Sequence, residues 1–380
     1  MTSQKKEPSS NKGVPGKNDS SPIETRYQSA PEVPEKLKGP WSPAVLKLIK
    51  ELIAEIHIGD KPFENADVVT EIIVTALKGV EAQIGRGDLK LLSRSLRELR
   101  YAFKIFKNYR HKRKVTIFGS ARTPKTDVSY VMAHDFAKKL VEKDYMIITG
   151  AGPGIMEAGN EGAGSGGSFG VNIRLPYEQF PNPFIAEEPT YIDCRYFFTR
   201  KLVFVKEASA AAFFPGGFGT LDEAFEILTL VQTGKCDPLP MVFVDTPKNS
   251  FWRPLIEFVN GTLLREHKIS KEDLSLFKIT DSVDEAVEEI FSFFKNYHSI
   301  RYVGDQLVMR LQRPVTDAQL AHLNSEFLAI LAKGGKFDRS DPLKEELNQP
   351  ELANLSRVVF PFNRINNGRL REMIDFLNKG

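Results

Sequence analysis

The sequence predicts an α/β chain built on a doubly wound parallel sheet, with an N-terminal helical layer before it and a small C-terminal α+β extension after it. Two observations carry this. From Val115 onward, short apolar runs alternate with helix-length segments, which is the pattern of strands covered by helices on both faces. Glycine-rich or small-residue turns follow several of those runs, and in such sheets ligands bind beyond the carboxyl ends of the strands.

Taken in order, residues 1–36 are rich in proline, serine and charges of both signs. They hold too little apolar surface to offset the entropy of ordering, so a disordered tail is expected. Residues 43–110 read as helices. Val45, Leu46, Ile49, Leu52, Ile53 and Ile56 recur at helical spacing, then Val68, Val69, Ile72, Ile73 and Leu77, then Leu89, Leu92, Leu96, Leu99 and Phe103. Breaks fall at Gly59 to Pro62 and Gly85 to Gly87.

The main domain is expected over 115–296. Its strands are Val115–Phe118, Met146–Ile148, Ala210–Phe214 and Met241–Val244, with Phe169–Ile173 a weaker candidate. The helices between are Val128–Glu142, Gly154–Gly164, Thr199–Ala208, Gly219–Thr233 and Phe251–Leu264, and Asp281-Ser282 opens one more to about Asn296. In the extension, 301–380, Leu307–Leu311 and Val358–Phe362 read as strands and Asp317–Ala332 and Leu370–Leu377 as helices. No motif there carries chemistry, and docking or dimerisation is the expected role.

Composition narrows the function. The 380 residues hold 52 basic and 49 acidic side chains, a net charge of +3, too balanced for a dedicated nucleic-acid coat. Two cysteines, Cys194 and Cys236, exclude a disulfide scaffold. The six histidines are scattered, so no metal site is expected. The apolar runs are too short to span a bilayer. The opening MTSQKKEPSS lacks an apolar leader, which makes a cytoplasmic location the expectation.

The strongest motif is PGGFGTLDE, Pro215 to Glu223, placed between an apolar strand and an amphipathic helix. Gly216, Gly217 and Gly219 are expected to let backbone approach a ligand closely and adopt positive φ. The free amides and dipole of the helix start favour an anion, and Thr220 adds a hydroxyl. A structural turn is the plain alternative, but the strand-to-helix setting favours phosphate.

A second glycine element, Thr149 to Gly167, brings Gly150, Gly152 and Gly154, with Met156 just inside its helix. It does not fit a dinucleotide fingerprint, because the third glycine would fall where Ile155 stands. A mononucleotide loop fits better. The first strand also ends in a small-residue turn, Gly119-Ser120. The three turns are expected to share one crevice. Arg200 and Lys201 open a further helix, where the dipole disfavours cations unless a phosphate or carboxylate offsets them.

PGGFGTLDE, the GAGPGIMEAG loop and the Arg200-Lys201 pair together resemble the LOG family ("Lonely guy"), often labelled possible lysine decarboxylase. All fixed positions of that family's PGGxGTxxE pattern are present. The resemblance covers about 115–244 and marks the chain as a longer, bacterial-type member. It implies a Rossmann-like homodimer that splits nucleoside 5′-monophosphates, AMP or cytokinin riboside 5′-monophosphates, into base and ribose 5-phosphate without a cofactor. It also implies that Glu223 and Arg200 are catalytic. A non-enzymatic nucleotide carrier, or one of the molybdenum-cofactor type, is the alternative.

Hydrolysis of an N-glycosidic bond develops positive charge at C1′, which a carboxylate stabilises, or the carboxylate activates water or attacks. Glu223, in the first turns of its helix, is expected to be ionised by the dipole. Asp222 should point elsewhere, and Glu226 shares the face of Glu223. Decarboxylation would need a Schiff-base lysine for pyridoxal phosphate, and only Lys201 is a candidate.

Four further features remain. The basic run Lys107 to Lys114 ends a helix more naturally than it binds nucleic acid. Cys194 is expected as a small buried residue. The proline-rich stretch Pro176 to Pro189 is either a selector of the base or a connector. Phe291, Phe293 and Phe294 are expected in a core or interface.

Overall fold

The computed structural model describes residues 43–380 except 56, 59–60, 63–64, 176–179, 248–249, 348 and 380. The expected tail, 1–36, and the start of the proline-rich stretch lie outside the described residues.

Helices α1 (Pro43–Ala54) and α2 (Ala66–Glu81) pair through Ile49 and Val74. Where the sequence shows only a break, the chain forms a minimal antiparallel pair, β1 (His57–Ile58) and β2 (Lys61–Pro62). Helix α3 (Arg86–Phe106) ends by burying Ala102 and Phe106 in the main core, while Leu92 and Leu96 near its start stay exposed. The end of the basic run that follows is used internally, while Lys107, Arg110 and His111 are exposed. Lys114 is buried and donates to the Tyr109 and Lys112 carbonyls at 2.8 and 3.0 Å, and Arg113 stacks 3.6 Å from the Phe294 ring centroid.

Seven parallel strands form the main sheet: β3 (Lys114–Phe118), β4 (Met146–Thr149), β5 (Ser168–Ile173), β6 (Tyr191–Cys194), β7 (Ala210–Phe213), β8 (Met241–Val244) and β9 (Phe277–Thr280). Their order is β6-β5-β4-β3-β7-β8-β9. The chain winds outward from β3, then returns to lay β7 on its other side, so the expected doubly wound sheet is observed. Strands β6 and β9 are additions to the sequence reading. They are the edges, half-buried in part, and Asp193 and Lys278 interrupt their apolar character.

One face is covered by α4 (Val128–Val141), α5 (Ile155–Ala163) and α9 (Val283–Phe293). The other carries α3, α6 (Phe197–Glu207) and α7 (Phe218–Gln232). The helix expected over Phe251–Leu264 is α8 (Arg253–Phe258) running into a π-helical turn, Val259–Leu264. Asn260-Gly261, both weak helix formers, sit in that wider turn.

The extension is a second, antiparallel sheet of β10 (Tyr297–Val303), β11 (Gln306–Leu311), β12 (Asp338–Ser340) and β13 (Ser356–Phe360), in the order β10-β11-β13-β12. Helix α10 (Asp317–Glu326) stops short of the expected Ala332 and gives way to a 3₁₀ turn, Leu328–Ile330. Helix α11 (Asn367–Lys379) buries Leu370, Met373, Ile374 and Leu377. The extension is docked onto α9. Phe293 lies in its core, Arg371 pairs with Glu289, and Asn378 donates to the Phe293 carbonyl at 2.7 Å. Phe291 remains exposed. Among the described residues, no helix is long and apolar enough to cross a membrane.

Candidate active site

The winding of the sheet reverses between β3 and β7, and there three strand-end turns are tied together. Ser120 N donates to the Pro215 carbonyl, and Ile155 N donates to the Ser120 carbonyl, each at 3.0 Å. Gly119, Ser120, Gly154 and Gly216 are therefore neighbours. Gly154 has φ of 68°, and a Cβ there would overlap the Ser120 carbonyl, so only glycine fits. At Gly216 a Cβ would overlap the Thr220 side chain and press on Ser120 N. Gly119 lies against Ile155, and a Cβ at Gly150 would come within 2.6 Å of Met156 Sδ and 3.8 Å of Arg200 Nη2.

The glycines of PGGFGT act differently from expectation. None of Gly216, Gly217 and Gly219 takes a positive φ; the left-handed residue nearby is Ala151 at 62°. Gly217 and Gly219 face open space. Gly217 is the N-cap of α7, no side chain caps that helix, and no acid lies in its first turn. Its leading amides are thus unclaimed by side chains. A cavity of about 470 Å³ adjoins them, lined by Ser120, Thr123, Asp127, Pro215, Gly216 and Thr246 among others.

Across the glycine turn, α6 and α7 bring charges together. Lys201 Nζ lies 2.8 Å from Asp222 Oδ2, 2.6 Å from Glu226 Oε2 and 3.4 Å from Glu223 Oε2. The expectation that Asp222 points away is corrected: Lys201 sits between neighbouring acids and both reach it. Lys201 is raised above its ordinary pKa by these carboxylates, against the cost of burial. The offset that the dipole argument required thus comes from protein carboxylates, and Lys201 has little charge left for a phosphate.

Glu223 is 3% exposed, and its carboxyl is pushed up from 4.5 to about 7 by burial, with Lys201 and Arg200 pulling the other way. The dipole expectation fails here because Glu223 lies beyond the first turn of α7, where the dipole has faded and desolvation dominates. Its Oε2 accepts no hydrogen bond, since Lys201 is near but poorly aligned. Arg200 Nε is likewise buried without a hydrogen-bond acceptor, and burial lowers that guanidinium's pKa against the pull of Glu223. The guanidinium lies between the rings of Phe197 and Phe204, at 5.6 and 5.2 Å from their centroids.

A buried amide network supports the Gly150–Gly154 turn. Asn182 Nδ2 donates to the Ala151 and Gly152 carbonyls at 3.1 and 3.0 Å and to Asn160 Oδ1 at 2.9 Å. Asn160 also accepts from Thr149 Oγ1 at 2.7 Å. Sequence reasoning missed Asn160 and Asn182. The signal was an asparagine inside a helix and another between prolines. Within the proline-rich stretch, Asn182 thus braces the glycine turn, a role outside the two expected for it.

Residues 152–290 match the family model described as "Possible lysine decarboxylase". That description is the one often given to the family of the sequence resemblance. A stretch of 148 residues is 32% identical to a pyrimidine/purine nucleotide 5′-monophosphate nucleosidase of Escherichia coli K12, covering 35% of this chain and 32% of that protein. The match thus spans about a third of that relative's length. A probable cytokinin riboside 5′-monophosphate phosphoribohydrolase of Oryza sativa subsp. japonica is 24% identical over 151 residues, 39% of this chain and 60% of that one. A molybdenum cofactor binding protein from Rippkaea orientalis aligns over 48% of this chain and 96% of its own at 17% identity, with a TM-score of 0.35. Lys201, the one candidate Schiff-base lysine of the sequence reading, is held as an ammonium among carboxylates, unsuited to act as an amine nucleophile.

Proposed function

We propose that the chain hydrolyses the N-glycosidic bond of nucleoside 5′-monophosphates, releasing free base and ribose 5-phosphate. One observation carries this reading: the site is divided by charge. On one side, the uncapped start of α7 follows Gly216, which with Ser120 lines a cavity of small-molecule size whose one acid, Asp127, is turned to cap α4. On the other, Glu223, Glu226 and Asp222 surround a single lysine. A substrate that is anionic at one end and becomes cationic at C1′ matches that division.

In this reading the phosphate rests on Gly216, Gly217, Gly219, Thr220 and Ser120. Gly119, Gly150, Gly152, Gly154 and Met156 shape the crevice. Glu223 in its ionised form stabilises the charge developing at C1′ or activates the water. Arg200, the buried cation beside it, holds Glu223 or the leaving base. Lys201 holds the acids rather than the phosphate. The catalytic unit is residues 115–296, with 43–110 and 301–380 as additions to it. Phe197, Phe198 and Leu202 on α6 and Phe218 at the start of α7 are exposed, and we assign them to a homodimer interface.

The test is a panel of nucleoside monophosphates and their nucleosides, with free base as the readout. Hydrolysis of at least one monophosphate, with its nucleoside turned over far more slowly, is expected. Equal turnover of AMP and adenosine would remove the phosphate anchor, and binding without cleavage across the panel would make the chain a carrier.

A further inference from the structure

We propose that Glu98, on helix α3 of the N-terminal layer, is a positioning residue for Arg200: its carboxylate anchors the first turn of α6 and makes that layer part of the site. The proposal rests on the hydrolase reading only for its activity readout.

Helix α6 begins unfavourably. Its N-cap, Tyr196, offers no side-chain hydrogen bond, and no acid lies in the first turn. Arg200 and Lys201 then place two cations close to the positive end of the helix. Lys201 is offset by the acids of α7, but nothing on α6 itself offsets its start. Glu98 does so from a different element. Its Oε2 accepts a hydrogen bond from Thr199 Oγ1 at 2.6 Å and a long one from Tyr196 N at 3.5 Å. It thereby holds the N-cap amide from outside, as the acid of a capping box does from within its own helix, and ties the first turn to α3.

The contact is close to the chemistry. Thr199 is 1% exposed and immediately precedes Arg200. The Tyr196 carbonyl accepts from Arg200 N at 3.3 Å and lies 2.9 Å from Thr199 Oγ1, whose single proton goes to the shorter contact with Glu98. A shift of this turn therefore moves Arg200. The far end of the tether is rigid, because α3 is fixed by Phe106, stacked on Phe169 with centroids 4.2 Å apart. A second α3–α6 contact, Lys206 Nζ at 4.8 Å from the Phe103 ring centroid, sets the helices against each other. Glu98 precedes the family-matched residues, 152–290, so the role belongs to the additional layer.

The test uses the full chain with Glu98→Ala, Glu98→Gln and Thr199→Val, measuring AMP hydrolysis, thermal stability and amide hydrogen exchange. In Glu98→Ala, kcat should fall about 10- to 100-fold while KM moves less than about threefold, as for a misplaced catalytic group. Glu98→Gln, which keeps the shape and loses the charge, should lie between it and wild type. Thr199→Val should add little to Glu98→Ala, because the two act through one contact. Exchange over residues 196–201 should quicken while α7 is unaffected. Wild-type kcat in Glu98→Gln together with unchanged exchange at 196–201 would overturn the proposal. So would a fall in activity that only follows a fall in melting temperature. If the wild-type chain cleaves no monophosphate, the hydrolase reading fails by itself, and the exchange measurement alone decides the role of Glu98.

Discussion

Replacing Glu223 by glutamine should make the protein more stable at neutral pH and destroy its activity. The carboxyl is buried and moved from 4.5 to about 7, so ionising it in the folded chain costs about 3 kcal/mol more than in the unfolded one. The folded chain holds this proton more tightly than the unfolded chain does. The loss of stability therefore begins as pH rises through 4.5, grows to about 7 and is complete above it. Below 4.5 both states carry the proton and the loss vanishes. Glu223→Gln is neutral throughout, and Lys201 keeps Asp222 and Glu226 as partners. Urea unfolding at a series of pH values should show the variant about 3 kcal/mol more stable at pH 8 and level with wild type near pH 4. In wild type, kcat/KM for AMP should rise with pH through about 7, because the ionised acid is the working form. The variant should lose about 10³-fold in rate and lack that limb. A stability gap that does not widen with pH would show that the carboxyl is not held protonated by burial. Turnover surviving the substitution would remove Glu223 from the chemistry.

Three other outcomes follow from the same geometry. Arg200→Lys should cost about 100-fold in activity with little change in melting temperature, since an ammonium cannot lie flat between Phe197 and Phe204; activity within threefold of wild type would contradict it. Asn182→Ala removes the side-chain donor to the Gly152 carbonyl and one of the two donors to Asn160 Oδ1 and should lower unfolding free energy by about 1–3 kcal/mol in urea titrations while raising KM. Burial pushes the Cys194 and Cys236 thiols up to about 12, so neither should react with iodoacetamide in the native chain at pH 8, and both should be labelled after unfolding.

The central strands were legible because both faces are covered, which forces continuous apolar runs such as Ala210–Phe213. The edges β6 and β9 were not, because one flank of each is open and tolerates Asp193 or Lys278. The meeting of Gly119, Gly154 and Gly216 was legible for the same topological reason, since turns at neighbouring strand ends must converge. What pairs with Lys201, how deep Glu223 lies and what Glu98 touches were not. Each depends on how α3, α6 and α7 rotate against one another, and helix spacing fixes a face but not its partner. Glu223 is the sharpest instance: sequence position suggested a dipole-ionised acid, and packing overruled it.

On the hydrolase reading proposed above, that packing favours an enzyme over a carrier on the same fold. A carrier gains from amides, hydroxyls and a snug crevice, all of which the β3 and β7 turns provide. It gains nothing from a carboxylate buried at a cost of about 3 kcal/mol above pH 7, set against the anionic cargo it would have to hold. Glutamine at that position would fill the same space, carry no charge and spare the fold its penalty. A site keeps such an acid when a cation must be met there, and the cation formed in splitting an N-glycosidic bond is short-lived and sits at C1′. The lysine held by three acids fits the same logic: it lowers the cost of ionising Glu223, yet leaves Oε2 without a hydrogen bond for the reacting centre to use.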